Sequence, residues 1–156
     1  MRNYFEHYAA VEALYEKFTA PVCQRFDLTS MEFTVLMFLA NNPKFDTAAQ
    51  IVRYRHLTKS HVSITIHSLQ NSGLLQGHND PSDRRIFRLS VTQAAAPIIR
   101  AGREIQQAFS RCLFAEFSPE EQRQVQNFIR RVDANVIHAE EELENSHESG
   151  VNSIGQ

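Results

Sequence analysis

Three residues near the middle of the chain, Asp83-Arg84-Arg85, combine two guanidinium groups with a carboxylate. They follow the turn-rich run Asn79-Asp80-Pro81-Ser82, which places them at a loop tip. Guanidinium is a fixed charge with a planar fork of donors. It suits phosphate, or the narrow and strongly negative minor groove of A·T-rich DNA. Asp83 can hold the Arg85 fork in one rotamer and so lower the entropy lost on binding. Taken alone, the triplet is an exposed ion pair worth less than about 1 kcal/mol to stability. A second group lies upstream. Between Thr58 and Leu69, the residues Val62, Ile66 and Leu69 recur at the helical period and point inward. Lys59, Ser60, His61, Ser63, Ile64 and His67 are left on the outward side. Short hydroxyls, imidazoles and a cation can reach base edges and phosphates from a helix in a major groove. The helix N-terminus, capped by Thr58, adds free N–H groups and a positive dipole end. On an arbitrary amphipathic helix such a face is merely solvated; the neighbouring elements reverse that weighting here.

Those neighbours are legible. Thr47-Ala48-Ala49-Gln50 is a capping box opening a short helix that ends near Tyr54 or Arg55, three or four residues before Thr58. Two short helices joined by so tight a turn form a helix-turn-helix pattern. Ser72-Gly73 stops the second helix. Leu74 to His78 and Arg84 to Val91 then read as the strands of a hairpin. Phe87, Leu89 and Val91 alternate with Arg88 and Ser90, the period of a half-buried strand. A hairpin directly after such a helix is a wing. Upstream, Tyr4 to about Arg25 carries an apolar stripe (Tyr4, Tyr8, Val11, Leu14, Tyr15, Phe18). Thr29-Ser30-Met31-Glu32 caps a helix that stops before Asn41-Asn42-Pro43. Downstream, a long helical region begins at Thr92, with Pro97 delaying or kinking its first turn. Ser118-Pro119-Glu120-Glu121 opens the last helix. After Glu144 the sequence turns polar and rich in Gly, Ser and Asn, the composition of a disordered tail.

The fold class expected is mainly α with a small β-hairpin wing: a winged helix-turn-helix with N- and C-terminal dimerisation helices. Its divisions are 1–28 and 93–145 for the helical dimerisation region, 29–92 for the winged helix-turn-helix, and 146–156 for the tail. The 156 residues fit one domain with an added oligomerisation element. The formal net charge of −2 argues against a nucleic-acid partner until its distribution is considered. From Asp46 to Thr92, Arg53, Arg55, Lys59, Arg84, Arg85 and Arg88 outnumber Asp46, Asp80 and Asp83, whereas from Glu116 onward acids predominate. No apolar run approaches the roughly 18 residues of a membrane span. No secretion signal is evident either, so a cytoplasmic protein with no membrane partner is expected. Cys23 and Cys112 form no disulfide framework. Cys112 reads as a buried structural thiol beside Leu113 and Phe114, and Cys23 as a thiol switch only if Arg25 lowers its pKa. His56, His61, His67 and His78 lack the spacing of a zinc site, so neither metal nor cofactor is expected. No nucleophile–base pair, carboxylate pair or phosphate-cradling glycine loop is present, which argues against an enzyme.

The run from Phe33 through Thr92 resembles the MarR family of bacterial regulators. The resemblance rests on the helix Phe33 to Leu39, the helix-turn-helix Thr47 to Leu69, the junction Ser72-Gly73-Leu74-Leu75, the wing Asp80 to Arg85, and Leu89-Ser90-Val91-Thr92. It implies a cytoplasmic homodimer, interlocked through its terminal helices, that presents two winged lobes to a pseudo-palindromic operator as a repressor of transcription. By that resemblance Ser60, His61 and Ser63 read or anchor in the major groove, Arg85 enters the minor groove, and Asp83 orients it. Thr58, Lys59, His67 and Arg84 complete the expected DNA-binding set. A small aromatic or phenolic effector is implied as well, with Tyr15, Phe18, Phe26, Phe33 and Met37 as candidate lining. His56 departs from the family, standing where a small turn residue, often Gly, is usual. Val52 and Ala95 likewise replace a usual Ala and Gly. The alternative function is a winged-helix module that has lost DNA binding and docks a protein; Lys59, Arg84 and Arg85 speak against it.

Overall fold

The computed structural model describes residues 3–151. In chain order the elements are α1 (Tyr4–Arg25), α2 (Ser30–Asn41), α3 (Ala48–Arg55), α4 (Lys59–Asn71), β1 (Leu75–Asn79), β2 (Phe87–Val91), α5 (Ala96–Leu113) and α6 (Pro119–Val151). Capping explains where the helices begin. Thr29 with Glu32, Thr47 with Gln50, and Ser118 with Glu121 form the reciprocal boxes expected, and Asn3 with Glu6 forms another at α1. Each satisfies two backbone N–H groups that a helix start leaves unpaired, at about 1 kcal/mol per cap. At the other end of α3, His56 takes the left-handed conformation (φ 51°), the backbone state that a glycine would favour. That one residue turns the chain between α3 and α4. A 3₁₀ turn, Gln93–Ala95, leads into α5, which starts at Ala96. Pro97 is its second residue, where a missing N–H breaks no intrahelical bond, so it neither delays nor kinks the helix.

Residues up to Ser110 form one compact unit. Its centre is α2, which buries Phe33, Val35, Leu36, Met37 and Leu39. These share one core with Ile51 of α3, Val62, Ile66 and Leu69 of α4, Leu75 and Leu89 of the hairpin, and Ile98 of α5. Polar contacts lock α5 to α2 and α1. Arg103 donates to the Ala40 carbonyl at 3.1 Å, Gln106 accepts from Asn41 at 3.0 Å, and Gln106 donates to the Tyr15 hydroxyl at 3.2 Å. The hairpin is antiparallel, pairing Leu75 with Val91, Gly77 with Leu89 and Asn79 with Phe87. Only Leu89 of the expected inward face is fully buried. Phe87 stays 47% exposed, because the two strands cover the core at their base alone.

From Arg111 onward the chain forms a second unit, dominated by α6. Phe128, Ile129, Val132, Val136 and Ile137 are exposed along that helix. The helix runs past residue 145 to Val151, into the segment expected to be a tail, and residues 152–156 lie outside the described residues. The strong helix formers Glu140, Glu141, Glu142 and Leu143 lead into that extension, with His138 and Glu142 paired one turn apart at 3.4 Å. Cys112 is exposed, contrary to expectation. Sequence neighbours on a helix point about 100° apart, so the apolar character of Leu113 and Phe114 does not extend to it.

Helices approach closely at Gly102 of α5, where a Cβ would lie 2.4 Å from the Met37 sulfur and 3.2 Å from the Phe33 ring. Gly102→Val should therefore destabilise by about 2 kcal/mol through overpacking. Gly102→Ala should destabilise less, because only the Cβ must be admitted by a shift of Met37 and the gain in helix propensity offsets part of that cost. Thermal unfolding followed by circular dichroism checks the pair, and a Val variant as stable as the parent would contradict the packing argument.

Candidate nucleic-acid interface

The outward side of α4 is assembled by what its inward side buries. With Val62, Thr65, Ile66 and Leu69 in the core, Lys59, Ser60, His61, Ser63, Ile64 and His67 are all exposed. Thr58 caps the helix, accepting from the His61 N–H at 3.3 Å. A second brace comes from α2, where the Glu32 carboxylate accepts from the Ser68 hydroxyl at 2.6 Å while still closing its own capping box. Burial alone would raise the Glu32 pKa, but the hydrogen bonds from Ser68 and Thr29 outweigh it and hold the carboxyl below its ordinary value. One flank of α4 borders a groove of about 540 Å³, lined by Lys59, Ser63 and His67 together with Val52, Phe87 and Leu89.

The wing tip is built from two carboxylates with different tasks. Asp83 grips Arg85 through two parallel bonds, Nε to Oδ1 and Nη2 to Oδ2, each 3.1 Å, and accepts the Arg85 backbone N–H at 3.0 Å. The Arg85 side chain is nonetheless 91% exposed, so its charge is presented outward in a fixed orientation. The pair holds the Asp83 pKa down and pushes the Arg85 pKa up. Asp80, by contrast, is buried. One of its oxygens accepts from the Ser82 backbone and hydroxyl and from the Asp83 N–H, which shapes the turn; the other accepts from Arg88. Arg88 reaches on to Asp46, in the loop before α3, at 2.7 Å. The Leu89 N–H donates to the Asp46 carbonyl at 2.7 Å, so side chain and backbone tie the wing to the same residue.

This network is not legible in the sequence, where Arg88 is one cation of a basic segment. Asp46 and Arg88 lie far apart along the chain, and neither belongs to a local motif. The expected set of Thr58, Lys59, Ser60, His61, Ser63, His67, Asp83, Arg84 and Arg85 does lie on two consecutive elements, the helix and the wing that follows it. The candidate effector residues are more scattered. Tyr15 and Met37 border a cavity of about 220 Å³ with Thr34, Asn41, Arg55 and Gln106. Phe33 is sealed in the core, and Phe18 meets Phe109 edge-on at 5.5 Å. Phe26 lies beneath the Arg25 guanidinium, 5.0 Å from it. Arg25 is thus engaged with a ring, and burial pushes the Cys23 thiol up, the reverse of an activated thiolate. Among the described residues no group of three His, Cys, Asp or Glu is placed to hold a metal ion. No helix among them is long and apolar enough to cross a membrane.

A helix pair joined by a tight turn, followed by an antiparallel hairpin packed on the same core, is a winged helix-turn-helix. Residues 26–86 match the model of the MarR family. A crystal structure of MarR is similar over 90% of this chain and 95% of its own, with TM-score 0.75 and 18% identity. MepR of S. aureus in its DNA-binding conformation is similar over 86% of this chain and 99% of its own, with TM-score 0.77 and 18% identity. MepR in a complex with DNA gives TM-score 0.72 at 17% identity, over 86% and 96% of the two chains. At these identities the likeness is one of fold.

The Asp80 carboxyl is held well below the usual carboxylate range, chiefly by Ser82 and then by Arg88. Because its folded value is depressed, its contribution is complete above the ordinary value of about 4 and fades as pH falls toward the folded one. Asp80→Asn should therefore speed amide exchange across 79–88 at neutral pH and leave α1 and α2 unchanged. As the solution is acidified, wild type should approach the variant. Equal protection of the two proteins at pH 7, measured by hydrogen–deuterium exchange, would show that Asp80 does not hold the wing.

Proposed function

We propose that this chain is a sequence-specific DNA-binding transcriptional regulator, acting as a homodimer that represses from a pseudo-palindromic operator. The observation that carries this reading is the Arg85 fork, clamped by Asp83 and presented at the tip of a wing anchored next to the polar face of α4. A guanidinium already held in one rotamer loses less entropy on entering a minor groove. Ser60, His61, Ser63 and His67 supply donors and acceptors to the major groove, while Thr58, Lys59 and Arg84 meet phosphates. The family whose model matches residues 26–86 is one of transcriptional regulators rather than enzymes.

Dimerisation rests on the apolar side of α6. Phe128, Val132 and Val136 recur one turn apart and are exposed among the described residues, a stripe suited to a second copy. Phe128→Glu should shift sedimentation from dimer toward monomer. An unchanged species would remove α6 from the interface. A single-ring aromatic effector, seated by the Tyr15 hydroxyl and Gln106 in the cavity beside Met37, is the proposed means of release.

The direct test is a gel shift with the DNA upstream of the protein's own gene, repeated over a salt series. Affinity should fall by orders of magnitude between low and moderate salt as counterions are released. Arg85→Ala should weaken binding about tenfold or more without lowering the unfolding midpoint. Loss of the shift in the parent protein under low salt would leave the protein-docking module as the better reading, and an Arg85→Ala variant of full affinity would remove the wing from the interface.

A further inference from the structure

The outermost line of α4 is not uniformly polar. Val62, Ile66 and Leu69 are buried, and residues at the 3.6-residue period on the opposite side are Ser60, Ile64, His67 and Asn71. Ile64 stands in the middle of that crest and is 68% exposed, with hydroxyl and imidazole side chains before and after it. The core has no claim on it, since its inward neighbours Val62, Thr65 and Ile66 complete the packing without it. Helix formation does not favour it either, because a β-branched side chain is a weaker helix former than the polar alternatives Lys, Gln or Glu.

We propose that Ile64 is a specificity-determining residue that reads the 5-methyl group of thymine in the major groove. This rests on the DNA-binding reading above. A helix lying in the major groove turns its crest toward the base edges, and the thymine methyl is the apolar group displayed there. Cytosine at the same place displays an amino donor, which Ile64 can only desolvate without pairing. The flanking Ser60 and His67 hydrogen-bond on either side, so the aliphatic contact falls between two polar ones. The bound sequence therefore contains, in each half-site, a thymine whose methyl matters more than its hydrogen-bonding edge.

The test removes that methyl alone. Bound duplexes are first selected from a random pool with the full-length protein. The selected site is then synthesised with uracil replacing thymine at one position per half-site in turn. Binding of wild type and Ile64→Ala is measured to each duplex, and circular dichroism verifies that the variant is folded. For one position, uracil should cost wild type about fourfold per methyl, the value of one buried methyl-sized group. Ile64→Ala should lose affinity for the thymine duplex by a similar or larger factor and be indifferent to uracil at that position. The two losses would then not multiply. If Ile64→Ala keeps full affinity, or remains as sensitive to uracil as wild type at every position, the assignment is overturned. A wild-type protein that enriches no sequence from the pool overturns instead the DNA-binding reading on which it rests.

Discussion

Burial of Val62, Ile66 and Leu69 is the constraint from which the rest of the surface follows. A helix has one face to give away, and α4 gives it to the core that α2 organises. Its opposite side is thereby committed to solvent or to a partner. The roll of α4 about its axis decides which side chains form the crest, and a rotation by one residue would replace Ile64 with Ser63 or Thr65 there. The Glu32–Ser68 bond resists that rotation from the α2 side, because Ser68 is fixed to a carboxylate already immobilised by its own capping box. Local helix chemistry at the start of α2 thus contributes to the angle of an element 36 residues later in the chain.

The wing shows how a protein with a net charge of −2 keeps useful cations. Arg85 and Arg88 are three residues apart, and their partners send them to opposite tasks. Arg88 lies between two carboxylates, partly buried, and its charge is spent inside the molecule on tying the wing to the loop before α3. Arg85 has one carboxylate, which sets its orientation but leaves it in water. The exposed pair adds little to stability because solvent screens it. On the proposed function, its value lies in restricting the rotamers of a side chain that would otherwise have to be ordered on binding.

Much of this arrangement was legible from sequence, and the reasons are local. Capping boxes, the Ser72-Gly73 stop and the alternation around Leu89 are short-range signals, and the structure follows them to within a residue or two. The grip of Asp83 on Arg85 was readable too, since it spans two residues. What escaped was long-range or depended on cover. The Asp46–Arg88–Asp80 network joins segments that no periodicity links. Cys112 is exposed despite its apolar neighbours because neighbours in sequence are not neighbours in direction on a helix. The extension of α6 to Val151 is hidden in the sequence because Ser and Gly in the last turns mask the acidic helix formers that precede them.

On the proposed function, the neutral crest of α4 and the charged wing also divide the physical work of recognition. Charge–phosphate attraction is long-ranged and indifferent to sequence, so affinity obtained from cations alone is affinity for all DNA. A chain whose cations are few, and in part neutralised by its own carboxylates, has little of that to offer. Discrimination must then come from contacts of short range, where an ill-fitting base leaves a hydroxyl unpaired or an aliphatic group against a polar edge. Ser60, Ile64 and His67 are suited to this, since none carries a permanent charge and each presents a different surface. On this reading the protein gains selectivity less from strong attraction to its own site than from weak attraction to all the others.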